Sequence, residues 1–280
     1  MSGKADYHVH YYMDGCSSDA MTLANIAPAA LKAGLDEIAV LKHYSANLPN
    51  GEGHWCYWKK VIPEQFEQFI LDVQEYSQNN IHPKIYSGVE TELVNENGAI
   101  NIGYEAQQKL DMVALSINYI PNMKALDLNK DNYPDFTALT DEWRQKVADV
   151  GIETIIQGYV KSVCNAIRKN PKIRTMAHFS DGLALLRPFA INYETIESNW
   201  LVEMMEPMMI CMREHDVLWE IAKDRPRQEA IVKRANELGV RFCATADAHF
   251  IEGGWANIPE HEVAENIIDE FKLNHGRINF

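Results

Sequence analysis

Seven short apolar runs, rich in β-branched residues, recur along the chain, and helical patterns lie between them. The apolar runs occupy 6–10, 36–41, 83–90, 111–117, 172–179, 217–221 and 240–246. The clearest helical patterns occupy 23–34, 63–78, 194–215 and 227–239. Strands that alternate with helices form βαβ units with parallel strands. Because seven such units are too many for a small open sheet, we predict an α/β fold with parallel strands, close to a (β/α)7 TIM-like barrel.

Segment 118–165 interrupts this alternation, since it begins with polar and aromatic residues and continues with a long helical pattern. We expect it to be a helical insertion over one end of the barrel. A chain of 280 residues is within the length that one α/β barrel takes. We therefore predict a single barrel domain over residues 1–280.

Composition narrows the classes of function. The net charge is −14 and no basic stripe is visible, so long nucleic acid is not an expected partner. No apolar run reaches the roughly 20 residues that cross a bilayer, and the N-terminus lacks the apolar core of a signal peptide. The five cysteines are scattered without a CxxC pair, a pattern typical of a reducing compartment. We expect a cytoplasmic protein without a membrane segment.

Two histidines, His8 and His10, alternate on the first predicted strand and therefore share one face of it. Other possible metal ligands follow the later strands, where the active sites of parallel α/β barrels lie. These candidates are His43, Glu90, Glu92, Asn118, His178, Asp181, Glu220, Asp247 and His249. Mixed imidazole and carboxylate donors favour zinc, manganese, iron or cobalt over calcium. Because the candidates outnumber the ligands of one ion, we predict more than one metal ion, with Glu90 as the bridge.

The motifs HVH (8–10), KH (42–43), GVE (88–90), AHFSD (177–181) and DAH (247–249) together resemble the PHP (polymerase and histidinol phosphatase) superfamily of metal-dependent phosphoesterases. The resemblance covers essentially the whole chain, and the length and late insertion are most similar to the histidinol-phosphatase branch. It implies a distorted seven-stranded barrel with two or three divalent metal ions (zinc, manganese or iron) on the face where the strands end.

Carried over motif by motif, the resemblance also implies a ligand set for each metal ion. The first ion would be bound by His8, His10, Glu90 and Asp247. The second would be bound by Glu90 and His178, and the third by His43 and His249. Among these residues, Glu90, Asp247 and His249 are the predicted catalytic residues.

Three positions depart from the family pattern. Asn118 stands where the family usually has a histidine after the fourth strand, and an amide oxygen is a poorer ligand for these metals than an imidazole. Cys16 stands where the histidinol-phosphatase branch often has a histidine, six positions beyond the HxH motif, and Asp14 lies close by. Either Cys16 or Asp14 could complete the third metal site. Lys42 replaces the usual aspartate before the second-strand histidine.

Such a metal cluster suits the hydrolysis of a phosphate ester. Metal ions about 3.5–4 Å apart clamp the phosphate oxygens, and a bound water becomes hydroxide because its pKa falls to roughly 7. Hydroxide would then attack phosphorus directly, without a phospho-enzyme. Cationic side chains would bind the remaining phosphate oxygens. The candidates for this role are Lys42, Arg187, Lys223 and Arg225.

Other residues near the predicted strand ends could support the site. Glu92 and Asp181 are candidates to orient metal-bound imidazoles. The aromatic segment 54–60 could line a substrate pocket or pack against the insertion.

We therefore predict a metal-dependent phosphatase that acts on a small phosphorylated metabolite, with L-histidinol phosphate as the first substrate to test. Three alternatives stay open. The first is a phosphodiesterase or short-oligonucleotide nuclease on the same cluster. The second is a non-catalytic metal-binding domain, which Asn118 and Cys16 would favour. The third is an amidohydrolase-like C–N hydrolase, although the lysine that such enzymes use after a middle strand is not found after the fourth strand here.

Overall fold

A computed structural model describes residues 4–45, 62–118, 120–128, 140–179, 186, 189, 191 and 196–280. Within these residues, seven parallel strands form one sheet and pair in sequence order. The strands are β1 (Lys4–His10), β2 (Leu35–Tyr44), β3 (Lys84–Glu92), β4 (Met112–Ser116), β5 (Ile173–Met176), β6 (Leu218–Ile221) and β7 (Phe242–Ala244). Each strand overlaps one of the predicted runs, so the predicted parallel architecture is confirmed.

The segment that follows β7 closes the sheet against β1. Ala248 pairs with Val9 in parallel orientation. The His10 N–H donates to the Ala248 carbonyl at 2.8 Å, and the Ala248 N–H donates to the His8 carbonyl at 3.2 Å. The structure is therefore the nearly closed seven-stranded barrel that the sequence predicts.

Helices alternate with the strands. They are α1 (Leu23–Lys32), α2 (Pro63–Asn79), α3 (Tyr104–Gln107), α4 (Asp141–Val150), α5 (Ile152–Lys169), α6 (Ser198–Glu214), α7 (Glu229–Glu237) and α8 (His261–Phe271). The four predicted helical patterns correspond to α1, α2, α6 and α7, whereas α3 and α8 are additional. None of the described helices combines the length and the apolar character needed to span a bilayer.

Two helices, α4 and α5, occupy the described part of the predicted insertion, and α5 continues beyond it to Lys169. One face of α4 is buried through Trp143 and Val147, and α5 buries nine of its side chains. Both helices thus pack on the rest of the fold through a continuous apolar stripe. That they cover one end of a single barrel domain stays a prediction.

The barrel interior has an apolar lower layer. Tyr7, Leu41, Ala114, Leu218 and Cys243, from five different strands, belong to one buried cluster that is separate from the larger core under the helices. Inward side chains of parallel barrels stack in such layers. Polar side chains can therefore face inward only nearer to the ends of the strands.

The C-terminal residues close this lower end of the barrel. The Ile278 N–H donates to the Tyr7 hydroxyl at 3.2 Å, and the Phe280 ring stacks on Tyr86 with centroids 3.5 Å apart. Arg277 pairs with Glu37 near the start of β2, at 3.0 Å. The opposite end, where the strands finish, is the one that receives the predicted ligands.

One glycine after β3 allows a close approach to α5. Gly98 has a φ of +82°, and a Cβ at this position would overlap backbone atoms of Asn165 and Ala166. We expect Gly98→Ala to lower the free energy of unfolding by about 2–4 kcal/mol, because left-handed strain and overpacking each cost about 1–3 kcal/mol. Denaturant unfolding followed by circular dichroism measures the loss.

Gly103→Ala is the matched control, because nothing lies within 4 Å of a Cβ at Gly103 and its φ is −69°. Equal losses in the two variants would contradict the close packing of this turn on α5.

Candidate metal centre

The strand register places the predicted ligands at one level of the barrel. His43 of β2 lies directly opposite Glu90 of β3, and the pairing of Ala248 with β1 brings the flanking Asp247 and His249 to the same place. His43 and Glu90 are buried, as are His8 and His10. Residues that are far apart in sequence thus meet at the end of the strands.

An irregularity in β1 turns its two histidines inward. Tyr7 belongs to the apolar layer of the barrel interior, so a regular strand would point His8 and His10 to the opposite face. The register of β1 against β2 shifts between Asp6 and Val9. Such irregularities re-aim side chains, and here both Tyr7 and the histidines lie inside the barrel.

The ring nitrogens of His8 and His10 converge on one point. Their Nε2 atoms are 3.1 Å apart, and Asp247 Oδ1 lies 3.3 Å from the first and 3.1 Å from the second. His8 Nδ1 lies 2.9 Å from Glu220 Oε2, and His10 Nδ1 lies 3.4 Å from Asp14 Oδ2. Because a carboxylate only accepts, a hydrogen on each Nδ1 satisfies Glu220 and Asp14, and in that tautomer each Nε2 presents a lone pair that a metal ion could share with Asp247.

Glu90 and Asp247 each face histidines through both carboxylate oxygens. Glu90 Oε2 lies 2.9 Å from His43 Nδ1 and 3.6 Å from His8 Nε2, and Glu90 Oε1 lies 3.7 Å from His178 Nε2. Asp247 Oδ2 lies 3.3 Å from His178 Nε2, whereas Oδ1 faces His8. Both carboxylates therefore have the arrangement of a bridge between metal sites, the role that the sequence assigns to Glu90.

Three groups of possible ligand atoms occur among the described residues, with the atoms of each group within 4.8 Å of one another. They are His8, His10 and Asp247; His8, Glu90 and His178; and His10, Cys16, His43 and His249. These groups parallel the three ligand sets implied by the resemblance. The differences are that Glu90 is absent from the first group, that His8 also belongs to the second, and that Cys16 and His10 join the third.

The charges of the cluster indicate what it can bind. Burial alone would lower the pKa of His8, but the charges of Glu220 and Asp247 raise it well above its ordinary value. Burial alone would raise the pKa of Asp247, but His178 and His8 hold it well below its ordinary value. The carboxylates thus require positive charge, and two Nε2 atoms 3.1 Å apart cannot both supply it with a proton. Divalent cations meet both conditions, so the donor set fits metal ions.

His249 has the opposite electrostatic environment. Burial and the neighbouring His10 lower the pKa of His249 to about 3, so its ring is neutral at physiological pH. Its Nδ1 lies 2.7 Å from the Asp247 carbonyl oxygen, which requires the hydrogen on Nδ1. The Nε2 atom is therefore the nitrogen available to a metal.

Glu220 of β6 holds two histidines in place. Its Oε2 lies 2.9 Å from His8 Nδ1 and accepts the His178 N–H at 3.3 Å. His178 has a φ of +49°, a region that non-glycine residues seldom occupy, and this hydrogen bond supports that backbone. The sequence places Glu220 among the possible ligands; the structure places it behind His8, in an orienting position.

Asp14 and Lys42 form a buried ion pair beside the cluster. Lys42 Nζ donates to Asp14 Oδ1 at 2.8 Å, and Asp14 Oδ2 accepts the His43 N–H at 2.7 Å. Burial alone would raise the pKa of Asp14, but His10, His43 and Lys42 lower it. Lys42, a predicted phosphate ligand, is only 3% exposed and points at Asp14. Of the two candidates for the third metal site, Cys16 belongs to a ligand group and Asp14 does not.

Asn118, which stands in the position of the family histidine, is bonded to its neighbours. Its Nδ2 donates to Glu92 Oε1 at 3.2 Å and to Ser116 Oγ at 2.5 Å, and its N–H donates to Glu92 Oε2 at 3.1 Å. Glu92, a candidate to orient metal-bound imidazoles, thus contacts Asn118. A metal-ligating role for Asn118 stays a prediction.

Two predicted phosphate ligands have acidic partners. Lys223 Nζ lies 3.1 Å from Glu260 Oε2 and also contacts the Trp255 carbonyl. Arg225 pairs with Glu270 at 2.7 Å and with Glu229 at 3.2 Å. The other sequence candidates, Arg187, Asp181 and segment 54–60, lie outside the described residues. Phosphate binding by these cations stays a prediction.

Trp255 is a neighbour of the cluster that no motif indicates. Its ring is 54% exposed and lies 4.2 Å from the ring of His249. It follows Gly253 and Gly254, which both have positive φ, so the chain turns back over the site. The only signal in the sequence is a tryptophan shortly after the DAH motif.

The comparisons with known proteins concern the fold. No protein-family model matches the chain, and no curated protein matches its sequence. A similar solved structure is the histidinol phosphate phosphatase HisK from Lactococcus lactis subsp. lactis, complexed with zinc, L-histidinol and phosphate. It is 17% identical, with a TM-score of 0.56 over 97% of this chain and 95% of that one. The resemblance to a histidinol phosphatase is thus confirmed for the fold.

The position of Glu220 predicts an effect on metal affinity without loss of a ligand. We expect Glu220→Gln to weaken zinc binding about 10–100-fold, as loss of a carboxylate behind a metal-bound histidine typically does. Competition with a chromogenic chelator measures the affinity.

Glu214→Gln is the control, since the Glu214 side chain is half exposed at the end of α6 and pairs with the adjacent Arg213. Unchanged zinc affinity in Glu220→Gln would refute the orienting role.

Proposed function

We propose that this protein is a metal-dependent phosphoesterase of the PHP superfamily that hydrolyses a small phosphomonoester. One observation carries the proposal: the Nε2 atoms of His8 and His10 lie 3.1 Å apart, and each lies 3.1–3.6 Å from Glu90 Oε2 and Asp247 Oδ1. Such a buried set of acceptors suits divalent cations and little else. The fold shared with a phosphatase of known structure supports the choice of phosphoester chemistry.

Two or three divalent ions would be held by these groups, with zinc as the first choice because the structural neighbour contains it. We assign His8, His10, Glu90 and Asp247 to the first ion, Glu90 and His178 to the second, and His43 and His249 to the third. When bound, such ions neutralise the charge of a phosphoryl group and lower the pKa of a water molecule to roughly 7.

The chain's own residues determine where a substrate can approach. The His8 and Glu90 side chains are at most 1% exposed, whereas those of Asp247 and His178 are 19% and 28% exposed. The exposed side of the cluster is therefore the side of Asp247 and His178. A phosphate group would enter there, and the buried side would keep the metal ligands fixed.

Glu90, Asp247 and His249 are the proposed catalytic residues, because the resemblance to the superfamily assigns all three to the metal cluster. Lys223 and Arg225 stay candidates for its outer oxygens. The ring of Trp255 offers an exposed aromatic wall beside His249. L-Histidinol phosphate is the first substrate to test, because the neighbour was solved with L-histidinol and phosphate.

Metal removal and a substrate panel test the reaction class. We expect a chelator to abolish phosphomonoester hydrolysis and zinc to restore it, because the hydrolytic water needs the metal to ionise near neutral pH. Rates on p-nitrophenyl phosphate and bis-p-nitrophenyl phosphate, measured with zinc and with manganese, separate two outcomes. A faster diester reaction would favour a phosphodiesterase, and no turnover of any ester by metal-replete protein would leave a non-catalytic metal-binding domain.

His178 tests the second metal site directly. We expect His178→Ala to lose one bound metal equivalent and about 100-fold or more in kcat/KM, since even partners behind the ligands affect activity 10–100-fold. Elemental analysis and a phosphomonoester assay measure the two effects.

His215→Ala is the control, because His215 is exposed after α6, away from the cluster. Full metal content and full rate in His178→Ala would show that the ligand assignment is wrong. The metal content and activity of Asn118→His, measured in the same way, test whether a histidine at position 118 raises the occupancy of the second metal site.

A further inference from the structure

A cysteine belongs to one of the three groups of possible ligand atoms. Ligand atoms of His10, Cys16, His43 and His249 all lie within 4.8 Å of one another. Ligands of one tetrahedral zinc ion, with bonds of about 2.0–2.3 Å, lie roughly 3.3–3.8 Å apart. The four side chains are therefore close enough to share an ion after small rotations.

His10 is better placed to bind the first metal ion than the third. Its Nε2 lies 3.1 Å from His8 Nε2 and 3.1 Å from Asp247 Oδ1, and its Nδ1 is directed at Asp14. We therefore assign His10 to the first metal ion. The third subsite then has one sulfur and two imidazole ligands, Cys16, His43 and His249, and a fourth position for water or a substrate oxygen, as catalytic zinc sites have.

We propose that Cys16 binds a metal ion as a thiolate and makes this subsite selective for zinc over manganese and magnesium. Thiolate is a soft ligand that prefers zinc, whereas manganese and magnesium prefer carboxylate, carbonyl and water oxygens. When the metal binds, the Cys16 thiol releases its proton to solvent. The proposal rests on the metal cluster of the proposed function but does not require that the protein hydrolyse any ester.

The backbone around Cys16 is arranged to hold the sulfur at this place. The Ser17 N–H donates to the Asp14 carbonyl at 3.0 Å, and the Ser18 N–H donates to the His249 carbonyl at 2.9 Å. The Ser17 hydroxyl donates to the Tyr11 carbonyl at 2.6 Å. These bonds tie the loop after β1 both to itself and to the residue that would share the metal.

Asp14, the alternative ligand, is already engaged. One of its oxygens accepts from Lys42 and the other accepts the His43 N–H and faces His10. Moving this carboxylate onto a metal would leave the buried Lys42 charge without its partner, which is costly. Asp14 thus orients ligands, and Cys16 is the group beside it with a ligand atom in the cluster.

Cobalt substitution tests the proposal without a substrate. Cobalt(II) replaces zinc in the full-length apoprotein, and a thiolate ligand gives a sulfur-to-cobalt charge-transfer band in the near ultraviolet. We expect the band in wild type and in Asp14→Asn, and we expect Cys16→Ser to lose the band and one metal equivalent. Cys211→Ala is the control for the other thiols, since Cys211 is buried in α6, and it should keep the band. Circular dichroism verifies that each variant is folded.

Metal competition tests the selectivity. In wild type, we expect a large excess of manganese to leave one zinc equivalent in place, and in Cys16→Ser we expect that zinc to bind about 100-fold or more weakly, since loss of outer partners alone costs 10–100-fold. A cobalt spectrum without the charge-transfer band, or a band that survives Cys16→Ser, would overturn the proposal. Because both measurements omit substrate, failure of the phosphoesterase proposal would appear separately, as metal-replete protein without turnover.

Discussion

Compensation of buried negative charge at the end of the barrel is the constraint on which the rest of this site depends. Glu90, Glu220 and Asp14 are almost fully buried, and a buried charge without a partner costs several kcal/mol. Five histidines surround these carboxylates and Asp247, with neighbouring ring centroids 4.0–5.0 Å apart. The facing Nε2 atoms of His8 and His10, 3.1 Å apart, suit one cation between them better than two protons, so the cluster is one that could bind metal ions.

The supporting residues follow from that constraint. Glu220 fixes His8 through Nδ1 and His178 through its backbone, and the Asp14–Lys42 pair fixes His10 and His43. Lys42 supplies the positive charge that Asp14 needs in its buried position. The lysine that replaces the usual aspartate before the second-strand histidine is therefore compatible with this buried cluster, because its charge compensates Asp14.

The fold and the proposed chemistry depend on different parts of the molecule. The barrel and its likeness to a histidinol phosphate phosphatase are properties of the backbone, and they hold at 17% identity. The proposed metal chemistry depends on the side chains of this chain, among them Cys16 and Asn118, which differ from the histidines that the resemblance implies. A soft sulfur ligand at the third subsite would change which ion binds there, while the barrel that carries it stays the same.

The sequence by itself determined the seven strands, the main helices and the residue types of the site. These features follow from the local periodicity of apolar residues and from the chemistry of possible ligands. Short stretches such as DYHVH and TADAHF are enough to show both. The sequence also identifies Glu90 and the histidines as candidate site residues, because the ends of the strands in a parallel barrel meet at one face.

Only the tertiary structure decided which of these residues converge in the cluster and which lie behind it. The register shift in β1 that turns His8 and His10 inward, the place of Glu220 behind His8, the pairing of Lys42 with Asp14 and the ring of Trp255 over His249 all depend on contacts between distant segments. Spacing along a chain fixes which face of a strand a side chain occupies, but the direction and charge of its neighbours are set by packing across the closed barrel.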